Sequence, residues 1–282
     1  MPGSAIIVFR EVLEAALIIG IVLAASRGIA TSRRWVALGV VAGIAGSLIV
    51  AAGAGAISQA FEGIGQEILN AAILFTAVLM LAWHSVWMRK HGAEIARDMR
   101  AVGHDVSAGT RPLHVLAIVV GLAVLREGSE VVLFLYGIAA GGAGSAALLG
   151  GSLFGLAAGA AAGALMYVGL LRIPTRHLFS VTGGLIVLLA AGMAGQAAGY
   201  LVQAGVLPGL VEPVWDASGW LPEHSAVGQL LHVLMGYDEQ PSAMQLIAFL
   251  GTFFGIVALA RLVNRPSVRP PQAAAAPALR LE

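Results

Sequence analysis

Arg10-Glu11-Val12-Leu13-Glu14 and Arg126-Glu127-Gly128-Ser129-Glu130 share one pattern, R-E-x-x-E, and each lies inside an apolar run long enough to cross a bilayer. A charged residue at that depth costs roughly 2.5–3.5 kcal/mol on insertion scales, so these charges call for a function or a pairing. On a helix each residue turns by about 100°. With Arg10 at zero, Glu11 falls near about 100° and Glu14 near about 40°, so all three share a face. Arg10 and Glu14 stand i, i+4 and can pair, which makes burying each less unfavourable. Glu11 and Glu14, at i, i+3, can both turn toward one cation. The second motif repeats this geometry. Four carboxylates against two guanidiniums leave a deficit of about −2 if all ionise, which suits a divalent or trivalent cation, and oxygen ligands favour a hard or borderline metal. One motif alone also fits a buried ion pair that fixes helix register; two copies with surplus negative charge favour a shared cation. The candidate metal residues are Glu11, Glu14, Glu127 and Glu130, with Arg10 and Arg126 as charge-pairing partners.

The elements that position these residues are membrane helices. The chain is 59% hydrophobic and 11% charged, with a mean hydropathy of +0.89, against roughly 25% charged residues in a soluble domain. Seven apolar runs, approximately 4–25, 36–57, 68–88, 113–139, 146–171, 177–203 and 244–263, have the length of about 20 residues that a hydrocarbon core requires. Backbone polar groups in lipid must be satisfied internally, so these runs are expected to be helices. The expected fold is an all-α integral membrane protein with seven transmembrane helices. The first run lacks a basic leader and carries Arg10, Glu11 and Glu14, so it reads as a retained span rather than a signal peptide. There are no cysteines, which excludes disulfides, thiolate metal sites and thiol redox chemistry. A net charge of +1 offers nothing to nucleic acid.

Charge in the loops orients the chain. Apart from Arg10 and Arg126, all of the 16 Lys and Arg residues fall at the ends of, or after, spans one, three, five and seven. By the positive-inside rule the N-terminus is then outside and the C-terminus cytoplasmic. The outer loops are acidic instead: Glu62 and Glu67 lie between spans two and three, and Glu212, Asp216, Glu223, Asp238 and Glu239 between spans six and seven. A negative outer face raises the local cation concentration, and it also follows from topology alone. Glu62, Glu67, Asp216, His232 and Asp238 are candidates for an outer entry site.

Motif, apolar run and glycine recur at nearly the same offset in spans one and four, which run in opposite directions across the membrane. Spans one to three (about 4–88) and four to six (about 113–203) would therefore be inverted repeats, followed by a seventh helix (about 244–263). In transporters of this build the site lies near the midplane, at the repeat interface. Gly39, Gly43 and Gly46 of span two and Gly151, Gly155, Gly159 and Gly163 of span five have the spacing that lets helices pack closely. One transmembrane domain is expected over 1–264. The Pro- and Ala-rich tail 265–282 is expected to be disordered, and 89–112 is expected to form a short surface helix plus a linker.

With R-E-x-x-E on spans one and four of seven, the chain resembles the oxidase-dependent iron transporter family, which includes the fungal high-affinity iron permeases and the bacterial ferrous iron permease EfeU. Trp87-Met88-Arg89-Lys90 is similar to that family's exit from span three. Trp215-Asp216, Gly228-Gln229-Leu230-Leu231-His232, Gly236-Tyr237-Asp238, Pro241-Ser242 and Met244-Gln245 are similar to its last outer loop. The resemblance implies a permease of the cytoplasmic (inner) membrane that imports Fe²⁺ or Fe³⁺, with iron as substrate and no permanently bound cofactor. It implies metal-handling roles for Glu11, Glu14, Glu127 and Glu130, with Arg10 and Arg126 as their partners, and matches Glu62 and Glu67 to an acidic motif. It also implies partners: a periplasmic iron-binding protein with a haem peroxidase in bacterial systems, or a multicopper ferroxidase in fungal ones.

Among the other residues, His224 and His232 fit either ordinary loop polarity or an entry site. His84 reads as interfacial, and His91, His104, His114 and His177 as solvated. Trp35, Trp83, Trp87, Trp215 and Trp220 fit interfacial belts. Gln196 is a weak pore-lining candidate, and Met80, Met166 and Met193 read as packing residues. Two alternatives stay open: a transporter of another cation such as Mn²⁺ or Pb²⁺, and an intramembrane metal-dependent hydrolase. No paired histidines at membrane depth support the second. Oxidation state, coupling ion and oligomeric state, a homo-oligomer included, are not encoded in any motif.

Overall fold

The computed structural model describes residues 2–29, 31–60, 65–169 and 175–263. Glu62 and the tail 265–282 lie outside the described residues. Among those described, the chain forms eight helices and no strand: α1 (Pro2–Ala25), α2 (Ser32–Ala60), α3 (Gln66–Ser107), α4 (His114–Ala140), α5 (Ser145–Val168), α6 (Thr175–Gln203), α7 (Ala226–Met235) and α8 (Ala243–Val263). Stretches of α2, α3, α5, α6 and α8 are long and apolar enough to cross a membrane. At 24 and 27 residues, α1 and α4 match them in length but interrupt their apolar runs with the motif charges. Large apolar side chains are exposed along α2 (Leu38, Val41, Leu48), α3 (Phe75, Leu79), α5 (Leu149, Leu153, Phe154) and α8 (Ile247, Phe254). Such a surface suits lipid rather than water.

Two elements differ from expectation. Residues 89–107 continue α3 without a break, giving one helix of 42 residues in place of a short surface helix and linker. The segment mixes charges of both signs with good helix formers, and tertiary contacts hold it. Gly103 lies against Ala25 at the end of α1, and the Ser107 hydroxyl donates to the Ala25 carbonyl at 2.9 Å. The second is α7, a ten-residue helix in the loop between α6 and α8. It starts where the Ser225 side chain accepts from the Gly228 N–H at 3.0 Å and stops at Gly236, which is left-handed at φ 65°. Both are ordinary helix-end chemistry.

The packing is cross-wise. α1 packs chiefly on α5, α4 on α2, and α3 on α6. Glycines make the first two contacts close. A Cβ on Gly155 would lie 2.5 Å from the Ala5 carbonyl oxygen, and one on Gly43 would lie 2.7 Å from the Gly121 carbonyl oxygen. Ala5 and Gly121 stand at corresponding places ahead of Arg10 and Arg126, so each motif helix is gripped at the same level. One turn further on, the site that Gly159 occupies against Val12 is matched by Ser47 against Gly128. The bulk is exchanged between the partners: valine against glycine on one side, glycine against serine on the other.

Two apolar clusters lie above and below the motifs. One joins Ile7 of α1, Leu74 and Leu81 of α3, Phe134 and Ile138 of α4, and Ile186 to Ala197 of α6. The other joins Val22 of α1, Val36 of α2, Val106 of α3 and Leu116, Val120 and Val124 of α4. The helices α1 and α4 pass through the two clusters in opposite order, and on both the R-E-x-x-E segment falls between them.

Candidate functional site

Residues from three helices converge between the clusters. From α1, Arg10 Nη1 lies 3.0 Å from Glu11 Oε1 and Nη2 lies 2.9 Å from Glu14 Oε1. Glu11 has no exposed surface, and Arg10 and Glu14 are buried. From α4, Arg126 Nε lies 3.2 Å from Glu130 Oε1 and 4.0 Å from Glu127 Oε1. The i, i+4 pair expected from spacing forms in both motifs. From α3 comes His84, whose Nδ1 contacts Glu130 Oε2 and whose Nε2 lies 3.7 Å from Glu14 Oε2 and 3.9 Å from Glu11 Oε2.

His84 is therefore not interfacial, as its place in the sequence suggested. It is 3% exposed and sits among the motif carboxylates, because α3 runs on well past residue 88 and carries His84 inside the bundle. One ligand atom each from Glu11, His84, Glu127 and Glu130 lies within 4.8 Å of the others. Ligands on opposite sides of one ion are separated by about 4–5 Å, twice a metal–oxygen distance of roughly 2.0–2.6 Å. Glu14 is not in that set; it is held against Arg10, with its second oxygen toward His84. The Oε2 atoms of Glu11, Glu14 and Glu127 and the Nε2 of His84 are buried without a hydrogen-bond partner. Leaving a buried polar atom unpaired costs about 1–3 kcal/mol, and a cation among these atoms would satisfy all of them.

The two arginines are not equivalent. Arg10 is enclosed, whereas the Arg126 side chain is 36% exposed and its guanidinium lies over the Trp87 ring, 4.4 Å from the centroid. Trp87 stands one turn after His84, so α3 touches both charge types of the site. A cation–π contact is worth about 0.5–2 kcal/mol. Trp87→Leu is expected to reduce substrate uptake by the reconstituted protein roughly three- to tenfold, and Trp87→Phe to retain most of it.

The outer candidates do not form a second cluster of this kind among the described residues. Glu67 is exposed in the first turn of α3. Asp216 accepts from the Ser218 hydroxyl and N–H at 2.6 and 3.0 Å, and these bonds hold its carboxyl below its ordinary pKa. Asp238 accepts from the Gln240 N–H and the Gln245 side chain at 2.9 and 3.1 Å, on the rim of a cavity of about 290 Å³ that Glu212 also lines. His232 Nδ1 lies 2.8 Å from the Tyr237 carbonyl oxygen and 3.1 Å from Glu223 Oε1, and its Nε2 lies 3.2 Å from Gln196 Nε2. Burial raises the Glu223 carboxyl above its ordinary pKa. Gln196 thus faces α7 of the loop between α6 and α8, beside a small cavity lined by Ile138, Met193 and Gly236.

The sequence pattern of the iron permease FTR1 family matches residues 1–264. The chain belongs to the iron permease FTR1 family. Among curated relatives, the ferrous iron permease EfeU of Escherichia coli O6:H1 (strain CFT073) is 32% identical over 245 residues, covering 85% of this chain and 88% of the relative. The EfeU protein of Shigella sonnei (strain Ss046) is similar to the same extent. A putative inactive ferrous iron permease EfeU from Escherichia coli K12 is 30% identical over 245 residues, with the same coverage. No solved structure matches the chain. An FTR1-family permease is a transporter rather than an enzyme, and with its long apolar helices this one is an integral membrane protein of iron transport.

Proposed function

We propose that this permease imports ferrous iron across the cytoplasmic membrane through the buried site between the two R-E-x-x-E motifs. Glu11, Glu14 and Glu127 turn unpartnered oxygens to the ion, Glu130 completes the cluster while bracing His84, and Arg10 and Arg126 compensate the carboxylates when no ion is bound. The observation that carries this reading is the set of unpartnered oxygens on Glu11, Glu14 and Glu127, enclosed between two apolar clusters. The two arginines pair one oxygen of each of Glu11, Glu14 and Glu130, and a visiting cation would satisfy the oxygens they leave. The choice of Fe²⁺ follows the description of the bacterial relatives.

In this reading α1 to α3 and α4 to α6 are inverted repeats and α8 is the seventh span, with α1 entering from outside and the tail cytoplasmic. The opposite passage of α1 and α4 through the two clusters supports the inversion, and so does the matched grip of Gly155 on Ala5 and Gly43 on Gly121. Rocking of one repeat against the other would open the site to each side in turn. The acidic outer loops concentrate the cation, and any change of iron oxidation state belongs to a partner protein.

The test is uptake by proteoliposomes holding the full chain, with iron kept ferrous by ascorbate or supplied as ferric citrate. Fe²⁺ accumulation well above that of protein-free vesicles is the expected result, with little from ferric citrate. Equal accumulation with and without protein would overturn the proposal, and stronger uptake of Mn²⁺ than of Fe²⁺ would reassign the substrate.

A further inference from the structure

We infer that His84 is itself a ligand of the transported ion, and that its imidazole nitrogen sets which cations the carboxylates accept. This rests on the reading of the cluster as the ion site, but neither motif contains it: the residue comes from a third helix. Its ring is buried, and one nitrogen is already engaged, with Nδ1 against Glu130 Oε2. The other, Nε2, has no hydrogen-bond partner, and carboxylate oxygens of Glu14 and Glu11 that lack partners too lie 3.7 and 3.9 Å from it. A histidine buried for packing alone would satisfy its second nitrogen with a hydrogen-bonding group. His84 turns it into the acidic cluster instead.

A carboxylate on one ring nitrogen fixes the ring and its tautomer, so that the other nitrogen presents a lone pair to a metal. Glu130 occupies that orienting position. Nε2, Glu11, Glu14 and Glu127 then surround the remaining space, and the donor set becomes one nitrogen with several oxygens rather than oxygen alone. The change bears on selectivity. Mg²⁺ and Ca²⁺ are hard and prefer oxygen. Imidazole suits Fe, Ni, Cu and Zn, and affinity rises from Mn²⁺ to Fe²⁺ along the divalent series. His84 therefore favours Fe²⁺ over Mn²⁺ and Ca²⁺ in a site whose negative charge alone would admit all three.

Two measurements on the full chain test this. In proteoliposomes, His84→Gln is expected to keep measurable Fe²⁺ uptake while the excess of Mn²⁺ needed to halve it falls roughly tenfold. An unchanged competition profile would overturn the proposal. The second measurement uses Mn²⁺ as a paramagnetic probe in detergent-purified wild-type protein. Electron spin-echo modulation from a directly bound imidazole nitrogen is expected, and it should vanish both in His84→Gln and in the Glu11→Gln/Glu127→Gln double variant. Absence of nitrogen modulation from Mn²⁺-loaded wild type would overturn the assignment even if His84→Gln fails to fold. If the double variant binds Mn²⁺ and transports Fe²⁺ like the wild type, the carboxylate site itself is wrong, and His84 falls with it. If the double variant is inert while His84→Gln keeps full selectivity and its nitrogen signal, only the role of His84 is wrong.

Discussion

Glu11→Gln is expected to lower Fe²⁺ uptake by proteoliposomes at least about 100-fold while leaving the protein inserted and monodisperse in detergent. The side chain keeps its shape, so packing around it is retained. What changes is charge. Glu11 lies 3.0 Å from Arg10 and has no exposed surface, and removing one partner of a buried pair costs about 3–5 kcal/mol. Arg10 keeps Glu14 at 2.9 Å, which is why the fold should survive. The substrate has no such substitute, because it loses an anionic ligand from a set held within 4.8 Å. Since about 1.4 kcal/mol is a factor of ten, losing about 3 kcal/mol from the ion's own pairing with a buried carboxylate amounts to more than 100-fold. Uptake measured well below half-saturation of the wild type, in parallel with reconstitution yield, separates this effect from misfolding. Uptake within threefold of wild type would remove Glu11 from the site.

Gly155→Leu is expected to have an effect of similar size for a different reason. Its Cβ would meet backbone, 2.5 Å from the Ala5 carbonyl and 2.9 Å from the Phe9 N–H nitrogen, so no rotamer change can relieve the clash. Overpacking of this kind costs about 1–3 kcal/mol. In a protein of this size each kcal/mol lowers the melting temperature by about 2–4 °C, and a drop on the order of 5–10 °C is expected. Uptake should suffer more than stability. Gly155 faces the turn of α1 just before Arg10 and Glu11, and moving that turn by an ångström separates them from Glu127 and Glu130. Gly53→Ala is the control: it is also a membrane-helix glycine, but with nothing within 4 Å of the added carbon. It is expected to leave melting temperature and uptake unchanged.

Much of the architecture was legible because lipid imposes few choices. Long apolar runs had to be helices, and the run expected at 113–139 is observed as His114–Ala140. The i, i+4 pairing within each motif follows from helix geometry alone, and the four-residue glycine spacing marked the faces along which α2 and α5 approach their partners. The illegible parts depend on what meets in space. His84 stands between Trp83 and Trp87 and shortly before Arg89 and Lys90, a composition that reads as a membrane interface. Only the continuation of α3 to Ser107 shows that the helix does not end there. The inequality of Arg10 and Arg126 was equally hidden, since the two motifs are alike in sequence and differ in whether a tryptophan from α3 lies beneath the guanidinium. The helix α7 is a milder case, because Ser225 and Gly236 mark its ends by ordinary capping chemistry, but ten residues are too few to register as a span.

The cross-wise grip of α1 by α5 reaches back to how the molecule is made. The first helix leaves the ribosome carrying Arg10, Glu11 and Glu14, while the helix that clasps its backbone is not complete until Val168. At about 5–20 residues per second that interval is on the order of 10–30 s. The first outside partner for its acids, His84, arrives with α3, and the second motif follows on α4. Until then Arg10, on the same helix, is the partner its two acids have from the start, and the pairing within α1 is what lessens the cost of those charges early in synthesis.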